Sequence, residues 1–97
     1  MKLRFSWDER KNRENQRKHG VSFEEAVTIF ANVPFDVFHD PDHSLDEDRY
    51  IAAGFSARGR VLLVVHCENS DGSEIRLISA RKASRNERHS LFGGGTK

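Results

Sequence analysis

The sequence predicts an α+β domain, a sheet packed with helices, and three observations carry that prediction. Helix-initiation signals stand at Asp8 and Ser22, just after a short alternating stretch near the N-terminus. Three strand-like runs, "RYIAAGFS", "RVLLVVHC" and "EIRLISA", then follow one another across turn signals at Arg58-Gly59 and Asp71-Gly72, as in an antiparallel meander. A last helix signal at Ser84 completes the order β-α-α-β-β-β-β-α, with the helices expected on one face of an antiparallel sheet.

The first element, "LRFSW", alternates so that Leu3, Phe5 and Trp7 share one face of a half-buried strand. Asp8 can cap a helix running to about His19, with Asp8 and Glu9 at its positive end, Arg17 and Lys18 at its negative end, and Gly20 as terminator. Ser22 and Glu25 have capping-box spacing, and Val21 with Ala26 occupies the staple positions of a second helix whose apolar stripe is Phe23, Ala26, Val27 and Phe30. Pro34 ends that region, "FDVFHD" alternates weakly as a strand, and the acidic stretch "PDHSLDED" reads as a loop. Ser84 and Glu87 repeat the capping box for a short third helix to about Leu91.

At 97 residues, 36% hydrophobic and 32% charged, the chain has room for one core, here placed in residues 1–92, with the Gly-rich residues 93–97 as a flexible tail. The longest apolar run is residues 61–65, far short of a membrane span, and the N-terminus lacks a secretory pattern, so a cytoplasmic protein with no membrane contact is expected. Cys67 is the only cysteine, which excludes an internal disulfide. The net charge of +1 conceals segregation: residues 1–20, 21–50 and 51–97 carry +4, −7 and +4. If the basic parts converge, they attract phosphates although the whole is nearly neutral.

Residues 8–19 contain no apolar side chain, so this helix has no hydrophobic stripe to dock by. One account pins its ends by Trp7 and Val21 and treats its charges as a solvated surface with pairs such as Glu14 with Arg10 or Lys18. The other notes that Lys11, Asn15 and Lys18 or His19 recur at helical spacing, a row of donors suited to RNA phosphates. The "HDPDHSLDED" stretch holds metal-ligand types, including His39 and His43. An EF-hand counted from Asp40 would need glycine where Leu45 stands and an acid where Ile51 stands. No metal site is assigned, and no cofactor.

The blocks "KHGVSFEEA", the acidic loop before Arg49, "GFSARGR" and "IRLISARKASRNER" resemble, in order and over residues 5–88, those of the BrnT family, the toxin half of BrnT/BrnA toxin-antitoxin systems. The resemblance implies a RelE-like endoribonuclease toxin that cuts RNA without a metal. It also implies neutralisation by a BrnA-type antitoxin in a heterotetramer, with operator DNA contacted only through the antitoxin. Gln16, where a leucine would help to dock the first helix, and Leu91, where members place an aromatic residue, depart from the family pattern.

Metal-free cleavage needs a base for the ribose 2′-hydroxyl, cations for the phosphorane and an acid for the leaving 5′-oxygen. The catalytic candidates are Lys18, His19, Glu47, Arg49, Arg76 and Arg81, and the RNA-binding candidates are Lys11, Asn15 and Arg60. His19 is of the type that moves protons near neutrality, Glu47 is a possible base in a crowded acidic loop, and the arginine forks suit phosphate oxygens. A cation at position 18 equally complements the helix dipole, and each arginine could instead pair with the acidic middle of the chain. Five residues separate Arg76 from Arg81, so a regular strand would point them to opposite faces; either the strand ends first or only one faces RNA. Alternative readings are a non-catalytic binding module acting as co-repressor or structural partner of a DNA-binding antitoxin, and a toxin that has lost activity.

Overall fold

Each helix begins at the capping residue that the sequence marks. The computed structural model describes residues 3–31, 36–39 and 48–92. The acidic stretch 40–47, Pro34 and the tail 93–97 lie outside the described residues. The chain runs β1 (Arg4–Ser6), α1 (Glu9–His19), α2 (Phe23–Val27) continued by a 3₁₀ turn (Thr28–Phe30), β2 (Asp36–His39), β3 (Arg49–Phe55), β4 (Val61–Glu68), β5 (Glu74–Lys82) and α3 (Arg85–Phe92).

The Asp8 carboxylate accepts from the backbone N–H of Arg10 and Lys11, which holds its pKa below the ordinary value, and Gly20 ends α1 in the left-handed region at φ 69°. The second capping box is only half formed. Ser22 Oγ accepts from Glu25 N at 3.0 Å, but the Glu25 carboxylate turns away to Ser56 and Arg60. At α3 both halves are present, with Glu87 N donating to Ser84 Oγ at 3.1 Å and Ser84 N to Glu87 Oε1 at 2.7 Å.

The five strands form one sheet in the order β1-β5-β4-β3-β2. The meander β2 to β5 is antiparallel as predicted, but β1 runs parallel to β5, so the sheet is mixed. Two helices separate β1 from the meander, and a connection of that length lets β1 reach the far side of the sheet and lie alongside the last strand.

Alternation divides the sheet into two faces. The Tyr50-His66-Leu77 and Ala52-Val64-Ala80 rows face α2 and its 3₁₀ turn, where Phe23, Ala26 and Ile29 are fully buried and Phe5 and Trp7 pack at the margin. Ile29 joins the core because the 3₁₀ turn has a period of three, carrying 23, 26 and 29 to one side. His66 is wholly buried here, stacked on Tyr50 and edge-on to Phe30, with Nε2 3.1 Å from Glu68. Leu3, expected with Phe5 and Trp7, is largely exposed.

The opposite face carries Phe38, Ile51, Leu63 and Val65, and α3 lies beside it, so the helices are not confined to one side as predicted. The reason is compositional. α3 presents Leu91 with Asn86, Glu87 and Ser90 toward the sheet, too little apolar surface to seal that face, and a groove of about 400 Å³ remains beneath it.

Candidate active site

Helix α1 owes its position to two buried asparagines. β1 pairs only with residues 74–76, which leaves the outer edge of β5 beyond Arg76 without a strand partner. Asn15 fills that gap: its amide donates to Ala80 O and Val21 O, each at 2.8 Å, and its Oδ1 accepts from Ala80 N at 3.0 Å. Asn12 Oδ1 accepts from Phe23 N at 2.8 Å while its amide donates to Glu24 and Glu9. Both side chains are buried and nearly fully bonded, the condition under which a polar group stabilises rather than weakens a fold. Asn15 therefore leaves the set of RNA donors, since both of its N–H groups are committed.

The charges around it sort differently from expectation. Glu14 pairs with Arg17 at 3.1 Å rather than with Arg10 or Lys18. Lys11, Lys18 and His19 line a cleft of about 240 Å³ with Glu14, Ile78 and Ser79 of β5. Asn15 thus sets this donor row against the sheet edge without being one of the donors.

A second geometric device lies in β5. The register slips between Val65 and His66 of β4, so that Ile78 stands as an extra residue between Leu77 and Ser79. The bulge reduces the effective separation of Arg76 and Arg81 by one, and both point to the face beside α3. The strand does not end before Arg81, and the five-residue separation no longer divides the two arginines between faces.

On that face Arg49, Cys67 and Arg76 form one row across β3, β4 and β5. At about 4.8 Å per strand, the two arginine Cα atoms are about 10 Å apart, within reach of one phosphate lying over the buried Cys67. The next row along β4 contains Ser79, which also lines the Lys11-Lys18-His19 cleft. Ser79 thus lies one row from the arginines on the same face and also at the α1 cleft, a relation visible only once the bulge is placed.

Arg81 and Arg60 are engaged elsewhere. Arg81 makes a two-pronged pair with Glu87 at 2.8 and 2.7 Å, which fastens α3 to the sheet. This guanidinium, together with the Ser84 N–H, holds the Glu87 carboxyl down to about 2, while Glu87 raises the Arg81 pKa. Arg60 grips the buried Glu25 through Nε at 2.9 Å and through Nη2, and donates to Gly20 O at 3.0 Å. Its guanidinium, with Ser56 Oγ donating at 2.7 Å, keeps Glu25 ionised below its ordinary pKa. It ties the β3–β4 turn to the end of α1, a structural duty for the residue expected to contact RNA. Glu47 lies outside the described residues.

A mixed five-stranded sheet with a helix layer on one face and arginines in register on the other defines a small α+β protein. Residues 7–87 match the family described as the ribonuclease toxin, BrnT, of type II toxin-antitoxin systems, and the chain belongs to that family. The crystal structure of the Brucella abortus ribonuclease toxin, BrnT, is similar in fold, with a TM-score of 0.61, 24% identity, and coverage of 86% of this chain and 99% of that one. No curated protein matches the chain in sequence. Membership of a type II toxin-antitoxin family implies an antitoxin as partner. Among the described residues no helix is long and apolar enough to cross a membrane.

Proposed function

We propose that this chain is an endoribonuclease toxin that holds an RNA phosphodiester on the sheet face beside α3 and cleaves it without a metal. The observation that carries this reading is the Arg49-Cys67-Arg76 row, one row along the same face from Ser79, which lines the cleft of Lys11, Lys18 and His19. The two guanidiniums neutralise the scissile phosphate and the charge that grows on it as the ribose 2′-oxygen attacks phosphorus. His19 moves the proton, with Glu47 as the second candidate for base or acid, while Lys18 and Lys11 hold the flanking phosphate. The 2′-oxygen–phosphorus bond forms as the phosphorus–5′-oxygen bond breaks, leaving a cyclic phosphate and a protonated 5′-hydroxyl. A BrnA-type antitoxin neutralises the toxin in a heterotetramer, covering this face, and contacts operator DNA on behalf of both.

Defined RNA incubated with the pure protein in EDTA, followed by end mapping, tests the reading. Cleavage is expected, falling about 10²- to 10³-fold in Arg49→Gln and in Arg76→Gln. A fall of at least about 10²-fold is expected in His19→Ala, with unchanged circular dichroism. Full cleavage by both arginine variants would remove the site, and RNA retention without cleavage by the wild type would favour the binding-module reading. In cells, His19→Ala and Arg76→Ala are expected to relieve growth arrest.

A further inference from the structure

A further groove lies away from the arginine row. It occupies about 730 Å³ between the β3–β4 turn, the end of β5 and α3. Lys82, Arg85, Arg88 and His89 line it with Phe55, and among the described residues no carboxylate does. Arg60 forms part of its wall, but its guanidinium is held by Glu25.

This concentration follows from the faces of α3. Residues 85, 88 and 89 are one turn apart and share one side, whereas 86, 87, 90 and 91 turn toward the sheet. The Arg81–Glu87 pair favours that orientation of the helix. Arg4, Arg17, Arg58, Arg60 and Arg81 each have a carboxylate partner, while Lys82, Arg85 and Arg88, like Arg10, Lys11, Arg13 and Lys18 of α1, have no ion pair among the described residues. Three like charges gathered without counter-charges repel one another, and an arriving polyanion relieves that repulsion. Phe55 stands at the same groove, 43% exposed despite its size, in the position of a platform for a base.

Resting on the ribonuclease reading above, we propose that this groove is a second, non-catalytic docking site for single-stranded RNA. Lys82, Arg85 and Arg88 hold successive phosphates, and Phe55 stacks one base. The groove then sets how tightly the toxin grips a long RNA, while the arginine row does the cutting. Stacking on an aromatic face is indifferent to base identity, so the site adds affinity rather than sequence choice.

Fluorescence anisotropy with a 2′-O-methyl oligoribonucleotide of about 12 nucleotides, across a salt series, measures the grip without cleavage. Arg85→Gln/Arg88→Gln is expected to weaken binding at least about tenfold and to lower the salt slope by about 1.4, roughly 0.7 for each lost phosphate contact. Phe55→Ala is expected to weaken binding about tenfold with the slope unchanged. Arg10→Gln/Arg13→Gln removes the same charge from exposed positions of α1 and serves as control. An equal loss in that control, or wild-type binding in the groove variants, would overturn the proposal. So would a groove that binds duplex DNA or an acidic antitoxin segment in preference to the single strand. Cleavage of a dinucleotide is expected to be unchanged in all groove variants. A slope change with no cleavage by any form sinks the nuclease reading alone, and normal cleavage with no slope change sinks the groove alone.

Discussion

Helices α1 and α3 are both polar, both carry cations toward a groove, and are held in opposite ways. α1 is fastened from within: Asn12 and Asn15 bury their amides against backbone groups of α2, its leading loop and β5, where water cannot compete. α3 is fastened at the surface, by its capping box and the partly exposed Arg81–Glu87 pair. An exposed ion pair is screened and worth little, whereas a buried amide whose partners would be orphaned by its loss is worth several times more. One helix is thus part of the folding unit, and the other is an attached arm.

The largest effect expected from breaking this contrast is at Asn15. Asn15→Ala leaves the Ala80 N–H and two carbonyls without partners and should lower stability by about 3 kcal/mol, read as a lower urea midpoint at unchanged m-value. A loss below about 1 kcal/mol would mean that α1 is held by something other than this amide. Asn12→Ala should cost about 2 kcal/mol by the same assay, because only the Phe23 N–H is left with an unmet need inside the fold. Glu87→Gln should change global stability by less than about 1 kcal/mol yet speed amide exchange throughout α3. Protection that persists in α3 would show it to be as firmly docked as α1.

Acid sharpens the same contrast. The Glu87 carboxyl, held down to about 2 chiefly by Arg81, stabilises α3 above its ordinary value of 4.5 and loses that contribution as pH falls from 4.5 toward 2. The asparagine amides do not titrate, although α1 loses its Asp8 cap in acid. Nuclear magnetic resonance followed from pH 6 to pH 2 should therefore show α3 loosening before α1; simultaneous loss would erase the distinction drawn between the two helices.

Much of this was legible in the sequence. Asp8, Gly20, Ser22 and Ser84 act through residues two to four positions away, so the helix ends they mark needed no tertiary information. The meander was legible because alternation and the Gly59 and Gly72 turns are equally local. Asn12 and Asn15 were not legible as anchors, since asparagine on a helix reads as solvated until the backbone groups it meets are known. Arg60 and Arg81 could be read as RNA contacts or as ion pairs, because their carboxylate partners Glu25 and Glu87 are unassignable by spacing alone. Of the proposed site, the residue types were visible beforehand, but the bulge at Ile78 that turns Arg76 and Arg81 to one face leaves no mark in "EIRLISARK".

By itself, then, the sequence determined the order and nature of the elements, the family and the supply of cations, because caps, turns and alternation are short-range physics. Tertiary structure alone decided which cations are spent on carboxylates, that β1 runs parallel to β5, and which arginines share a row. Those outcomes depend on strand register and on groups far apart in the chain, and a one-residue shift in register reverses the face of every side chain after it.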